Sequence, residues 1–298
     1  MSVINVEYKG RVAIITIDNE KKLGALNQGQ YYELATKLNE VAGHDEVYVT
    51  VLIGKGRFFS ATPSSPKAPA ILAATSSKKS LTLEISGADV TSALAGPQDG
   101  DNTPQHRHLL NTFLVNNLNL TRAFYTHPKV LVAALNGPVI GLSAAIVSLA
   151  DFIYATPSTF LLTPFASLGL VAEGVASKAL VKRLGPAKAN EALLMSKKIT
   201  IDALQQCGYV NEVFDVGTGP GADLRFRERV LKEIDDRLGD HLVGDSLLGI
   251  KKLLRDPEIK ELDVQNVAEV FAGVDRLMKG IPQEEFRKIA RGEKRHKL

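Results

Sequence analysis

Strand and helix signals alternate along most of the chain and then give way to helical patterns alone, which predicts an α/β (α+β) fold ending in a helical subdomain. Three observations carry this prediction. The chain opens with two β-branched runs joined as a hairpin, short apolar strands then alternate with amphipathic stretches, and from Ala187 onward the texture is helical.

The bulk numbers set the limits. A chain of 298 residues suits one large α/β core with an appendage, and 45% hydrophobic against 23% charged residues is the balance of a globular protein with a sizeable interior. A net charge of +3 is far from the clustered basic face of a nucleic-acid binder and suits a small anionic ligand, so no nucleic-acid partner is expected. Cys207 is the only cysteine, which excludes a disulfide framework and a cysteine metal cluster and fits a reducing compartment. No apolar run has the length of a membrane span, and the first residues lack a secretory signal.

The elements follow in order. Val3 to Tyr8 and Arg11 to Ile17 flank Lys9-Gly10 as a hairpin. Asn27 caps a helix whose apolar positions Tyr31, Leu34, Leu38 and Val41 recur at helical spacing until Gly43. Val47 to Ile53 reads as a buried strand. A long helix covers Arg107 to Tyr125, with Leu110, Phe113, Leu114, Leu118 and Ala123 near one face, and stops before Pro128. Strand Val130 to Leu135, a turn at Asn136-Gly137-Pro138, a small-residue helix over Leu142 to Leu149 and a strand over Phe152 to Ala155 complete the alternating part.

Helical segments follow at Glu191 to Met195, Ile201 to Gln206, Asp223 to Leu238 and Ser246 to Leu254, with a charged final helix ending near Arg291. The Gly-rich stretch Val216 to Ala222 is the natural hinge, dividing a core at 1–215 from a helical region at 222–298. Ala61 to Ile85, rich in Ala, Ser, Pro and Lys, has neither period and is expected to be a loop or disordered. Behind a basic run, His296-Lys297-Leu298 resembles an SKL-type peroxisomal address, which implies an import receptor as partner and a peroxisomal location.

Chemistry concentrates between Asn136 and Glu173. Asn136-Gly-Pro-Val-Ile-Gly-Leu-Ser-Ala-Ala145 leads from a buried strand into a helix whose first turn carries small side chains, so backbone donors are exposed at a helix start. Such donors suit negative charge developing on a thioester oxygen, and the Leu142 N–H is the candidate. Glu173 stands among Leu168, Leu170, Val171 and Ala172, surroundings that raise a carboxyl pKa toward a value useful for proton transfer. His106, His108 and His127 have no spacing that suggests a metal site.

Arg57-Phe-Phe-Ser60 and Ser86-Gly-Ala-Asp89 form one phrase when joined. With Ala25-Leu-Asn27, the Asn136 to Ala145 motif and Pro164-Phe-Ala-Ser-Leu-Gly-Leu-Val-Ala-Glu-Gly174, the chain resembles the crotonase family over nearly its whole length. Within it, the wording before Glu173 and the basic C-terminal tripeptide are most similar to the fungal peroxisomal Δ3,Δ2-enoyl-CoA isomerase group. The resemblance implies a crotonase/ClpP-like spiral of ββα repeats forming two sheets, with the C-terminal helices used for assembly as a homotrimer or homohexamer. It also implies an oxyanion hole built from the Ala88 and Leu142 N–H groups, with Ala25, Leu26, Ser86, Gly87, Asp89, Gly141 and Phe165 around the acyl-CoA.

Within this resemblance the acid–base residues decide among reactions. A hydratase needs two carboxylates, and the matching positions here are Ala145 and Phe165, which transfer no proton. Glu173 remains as a single base, enough to move a proton from C2 to C4 of a 3-enoyl-CoA and give the 2-trans-enoyl-CoA of fatty-acid β-oxidation, with no cofactor beyond the CoA of the substrate. Two other readings stay open: another crotonase-type acyl-CoA enzyme of a specialised fungal pathway, or an acyl-CoA-binding subunit with impaired catalysis. The doubt comes from residues 61–85, which split the RFFS and SGAD phrases as either a true surface loop or a translated intron. A continuous register would place Pro63, which has no N–H, near the donor position, so Ala88 must supply it.

Overall fold

The computed structural model describes residues 2–60 and 104–294. The segment 61–85, the expected site residues Ser86, Gly87, Ala88 and Asp89, and the tripeptide His296-Lys297-Leu298 lie outside them.

The hairpin is β1 (Ile4–Lys9) and β2 (Val12–Ile17), antiparallel with Lys9 opposite Val12. Helix α1 (Gln28–Ala42) starts in a full capping box: Gln30 N–H donates to the Asn27 side chain and the Asn27 N–H donates back to the Gln30 side chain, each at 2.9 Å. Its buried residues include Tyr31, Leu34, Leu38 and Val41.

Strands β3 (Val49–Gly54), β4 (Val130–Leu135), β6 (Phe152–Ala155) and β9 (Glu212–Val213) extend the hairpin into a six-stranded sheet of order β1-β2-β3-β4-β6-β9, parallel beyond β2. A smaller sheet pairs β5 (Val139–Ile140), β7 (Phe160–Leu162) and β8 (Ile199–Thr200). The continuous apolar wording of β4 follows from burial on both faces. Leu131, Ala133 and Leu135 join a core with α1, whereas Val130, Val132 and Ala134 face Phe226, Val230, Ile234 and Leu238 of α7 (Ala222–Leu238).

The long helix expected over Arg107 to Tyr125 comprises α2 (Gln105–Leu109), a π-helical turn at Leu110–Leu114, and α3 (Val115–Tyr125). Leu110, Phe113, Leu114 and Leu118 pack with Val270, Val274 and Leu277, while Leu120, Ala123 and Phe124 join the main core. One expected face thus becomes two, because a π turn rotates everything after it relative to a uniform 3.6-residue register.

Helix α4 (Leu142–Val147) is short. Helix α5 (Ala176–Leu193) begins well before the expected helical stretch, its signal obscured by a break at Gly185 (φ 74°, ψ 161°) just ahead of Pro186. After α6 (Ile201–Gln206) and α7, the segment expected to end near Leu254 runs on as α8 (Gly244–Met278), through Pro257, and α9 (Ile281–Ala290) closes the described chain. A helix-interior proline costs about 3 kcal/mol. Anchors on either side of Pro257 offset that cost: Lys251 and Arg255 before it, Val270 to Leu277 after it.

The anchor before it is Asp151. Its Oδ2 accepts the Leu131 N–H at 2.8 Å and pairs with Lys251 Nζ at 2.7 Å, and its Oδ1 accepts from Arg255 Nε and Nη2 at 2.9 and 2.8 Å. Asp151 and Lys251 side chains are only 14% and 10% exposed. Replacing Asp151 by Ala leaves, among the described residues, Lys251 without its anion and Arg255 with only Glu258 at 3.6 Å, in a largely buried junction, so a loss of about 3–5 kcal/mol is expected in urea unfolding. A loss below about 1 kcal/mol, the range of a surface pair, would contradict that assignment.

Candidate active site

Asn136, at the end of β4, holds the loop after β3 against the turn that opens the site. Its Nδ2 donates to the carbonyls of Gly56 (2.7 Å) and Phe58 (3.2 Å), and its Oδ1 accepts the Gly54 N–H. A Cβ on Gly137 would strike the Arg57 carbonyl, so glycine is required at this crossing. Ser60 then runs alongside β5: its N–H donates to the Pro138 carbonyl and its carbonyl accepts the Ile140 N–H. The Arg57 to Ser60 and Asn136 to Ala145 phrases, far apart in sequence, are therefore neighbours.

Gly141 (φ 67°, ψ −135°) donates its N–H to the Leu162 carbonyl and turns the chain into α4, which Leu142 opens. As a first helical residue, Leu142 has an N–H with no acceptor inside the helix. The next side chain pins this start. Ser143 Oγ lies 3.0 Å from Tyr31 Oη and 2.8 Å from Ser60 Oγ, a buried chain of hydroxyls joining α1, the end of the β3 loop and α4. The sequence marks Tyr31 only as an apolar helix position and Ser143 only as a small residue in the first turn of α4, because hydroxyls so distant in sequence carry no local pattern.

Glu173 arrives on the loop that follows β7. Gly169 (φ 72°) turns that loop, and its carbonyl accepts from Arg276 Nε at 2.9 Å, while Lys294 Nζ donates to the Ser167 carbonyl. After Glu173 come two left-handed residues, Gly174 (φ 69°) and Val175 (φ 52°). A Cβ at Gly174 would lie 2.9 Å from both Ala145 Cβ and Leu142 Cδ1, so the backbone beside Glu173 is packed directly on the first turn of α4.

Glu173 is half-buried as a residue, and burial around its carboxyl group pushes its pKa up to about 7. A hydrogen bond from Asn117 Nδ2 to Oε2 (2.9 Å) opposes the rise, and the charge of Glu269 adds to it. Neither partner belongs to a motif. Asn117 is a polar residue on a buried face of α3, and that burial depends on the π turn before it.

Other candidates fall elsewhere. Ala145 and Phe165 are buried apolar groups, at 0% and 3% exposure. Ala25 and Leu26 are each 1% exposed, with the Ala25 carbonyl accepting from Asn19 Nδ2, so their side chains belong to the interior. His127 is buried beside Thr50 Oγ1 at 2.7 Å, and burial pushes its pKa down to about 3. Among the described residues, no three His, Cys, Asp or Glu side chains are placed to share a metal ion.

A model of the family Enoyl-CoA hydratase/isomerase matches residues 87–234. The Delta(3,5)-Delta(2,4)-dienoyl-CoA isomerase of Pyricularia oryzae is 57% identical over 302 aligned residues, covering 99% of each chain. The 3,2-trans-enoyl-CoA isomerase of Saccharomyces cerevisiae is 31% identical over 301, covering 99% of this chain and 96% of that one. The crystal structure of enoyl-CoA hydratase/isomerase from Pseudoalteromonas atlantica T6c superposes with a TM-score of 0.76 at 22% identity, covering 99% of this chain and all of that one. The fold is therefore the crotonase fold, and the chain belongs to the enoyl-CoA hydratase/isomerase family. It is an enzyme, and the two relatives just described, matched nearly end to end, are isomerases.

Asn117→Ala removes the neutral donor that favours the ionised form of Glu173. The carboxyl should then titrate above about 7, by roughly one further unit, in an infrared titration of its carboxyl band. An unchanged or lower midpoint would show that this hydrogen bond does not set the proton affinity.

Proposed function

We propose that the protein is an enoyl-CoA isomerase that moves the double bond of a 3-cis- or 3-trans-enoyl-CoA into conjugation as the 2-trans-enoyl-CoA. The observation that carries the reading is the enclosed Glu173 carboxyl beside a helix start, with Ala145 and Phe165 where a hydratase would need its carboxylates.

Ionised Glu173 takes a proton from C2, and the C–H electron pair spreads through the dienolate onto the thioester oxygen. The Leu142 N–H, with Ala88 as its partner donor, stabilises that oxyanion; removing one such donor costs on the order of 10²–10³ in rate. Protonated Glu173 then delivers its proton to C4, and the pair returns to form the C2=C3 bond. No cofactor enters, because the base regains its starting state within one turnover. Ser86, Gly87, Asp89, Gly141 and Phe165 are assigned to the acyl-CoA pocket, and Ala25 and Leu26 are assigned to it through their backbone.

A second reading is favoured by the 57% identical relative: conversion of a 3,5-dienoyl-CoA to the 2,4-diene. That reaction carries a proton from C2 to C6, a longer path for one carboxyl, and comparison of the two substrates decides between them. Peroxisomal delivery through His296-Lys297-Leu298 accords with either reaction. Assembly as a homotrimer or homohexamer is proposed from the outer face of α8, where Ile250, Leu253, Leu254, Val264 and Phe271 stand exposed.

Purified protein given 3-cis- or 3-trans-enoyl-CoA should develop ultraviolet absorbance of a conjugated thioester. Glu173→Gln should lower kcat on the order of 10²- to 10⁴-fold. Because the base must be ionised, wild-type kcat/KM should rise with pH through about 7 and level off above it. Absence of conjugation by the wild type would overturn the reading, and rapid hydration of a 2-enoyl-CoA would overturn the use of Ala145 and Phe165. Light scattering should give three or six chains per particle, and Leu253→Glu with Leu254→Glu should reduce it to monomers if α8 forms the interface.

A further inference from the structure

We propose that Glu269, on α8, is a positioning residue for Glu173: it holds the first turn of α5 in the conformation that aims the base, and its charge acts on the base across that turn. The inference rests on Glu173 being the base.

The backbone immediately after Glu173 is the constraint to be explained. Val175 is β-branched and sits at φ 52°, ψ 27° as the N-cap of α5, a left-handed conformation that is strained for such a residue. Val175 offers its helix no side-chain acceptor, yet the first N–H groups of α5 need one. The acceptor comes from another helix. Glu269 Oε1 takes the Ser177 N–H at 2.9 Å and the Ser177 hydroxyl, and Gln265 Nε2, one turn earlier on α8, donates to the same hydroxyl at 2.8 Å.

Glu269 is an unusual choice for a merely structural cap. It is 5% exposed, forms no ion pair among the described residues, and its Oε2 accepts no hydrogen bond from them. Burial raises its pKa, against the hydrogen bonds from the Ser177 hydroxyl and N–H. A buried carboxylate lacking a cation is a poor source of stability. A neutral glutamine or asparagine could cap this turn without that cost, whereas only an acid also acts on Glu173 by like-charge repulsion. Among the described residues, Asn117 from α3 donates to Glu173, Glu269 from α8 repels it, and Tyr31 from α1 feels its charge.

The test compares Glu269→Gln and Glu269→Asp with the wild type and with Glu173→Gln, following kcat and KM for a 3-enoyl-CoA across pH and the Glu173 carboxyl band by infrared. Glu269→Gln keeps the acceptor and removes the charge, so the acidic limb of kcat and the carboxyl midpoint should both move down by roughly half to one pH unit, with KM within about twofold. Glu269→Asp keeps the charge and withdraws the acceptor, so the limb should stay near the wild-type position while plateau kcat falls several-fold.

A wild-type limb and kcat in Glu269→Gln would overturn the inference. So would a rise in KM alone, or a Glu269→Asp profile matching that of Glu269→Gln. If Glu269→Gln fails to fold, the Glu269→Asp profile alone decides: lowered kcat at an unmoved limb and KM supports the inference, and wild-type kinetics overturns it. Retained activity in Glu173→Gln would instead remove the base reading itself, an outcome distinct from all of these.

Discussion

The contact between Gly174 and the first turn of α4 is the constraint on which the site depends. Acid–base chemistry on a bound thioester requires the base and the oxyanion donor to be fixed relative to each other within a fraction of an ångström. Among the described residues no side-chain hydrogen bond joins Glu173 to α4. The backbone next to Glu173 rests on Leu142 and Ala145, and only a residue without a Cβ can approach so closely. The alanine at 145 therefore has two consequences. On the proposed reading it stands where a hydratase would need a carboxylate, and it makes room for the loop that carries Glu173.

Around this contact the helices act as supports. Helix α8 meets the sheet through Asp151, meets α3 through the Tyr125 hydroxyl on Asp263 and the Asn266 amide on the Leu118 carbonyl, and meets α5 through Glu269. It therefore touches both elements that flank Glu173: α3, which supplies Asn117, and α5, which the base precedes. A helical region for which the family resemblance implies an assembly role is also part of the framework of the candidate site. The same helix crosses Pro257 intact, because its anchors lie on both sides of the break.

The fold was legible wherever the signal is local. The Asn27 capping box, the β4 run and the hairpin at Gly10 follow from short-range rules, and they appear with boundaries within about two residues. The long course of α8 was not legible, because proline normally ends a helix and tertiary contacts overrode that preference. The start of α5 was hidden by Gly185-Pro186. In the site, Glu173 and Leu142 could be named because their phrases are compact. Asn117, Ser143 and Glu269 could not, since each matters only through a partner dozens of residues away, and a π turn invisible to periodicity sets the face that Asn117 occupies.

The hydroxyl chain from Tyr31 through Ser143 to Ser60 has one more consequence. Ser60 is held on both its backbone and its side chain, by Pro138, Ile140 and Ser143, so the chain leaves the site from a fixed post. Closure entropy grows only slowly with the length of chain between fixed ends. Anchoring at Ser60 thus separates the serine that steadies the first turn of α4 from the length of whatever chain follows it.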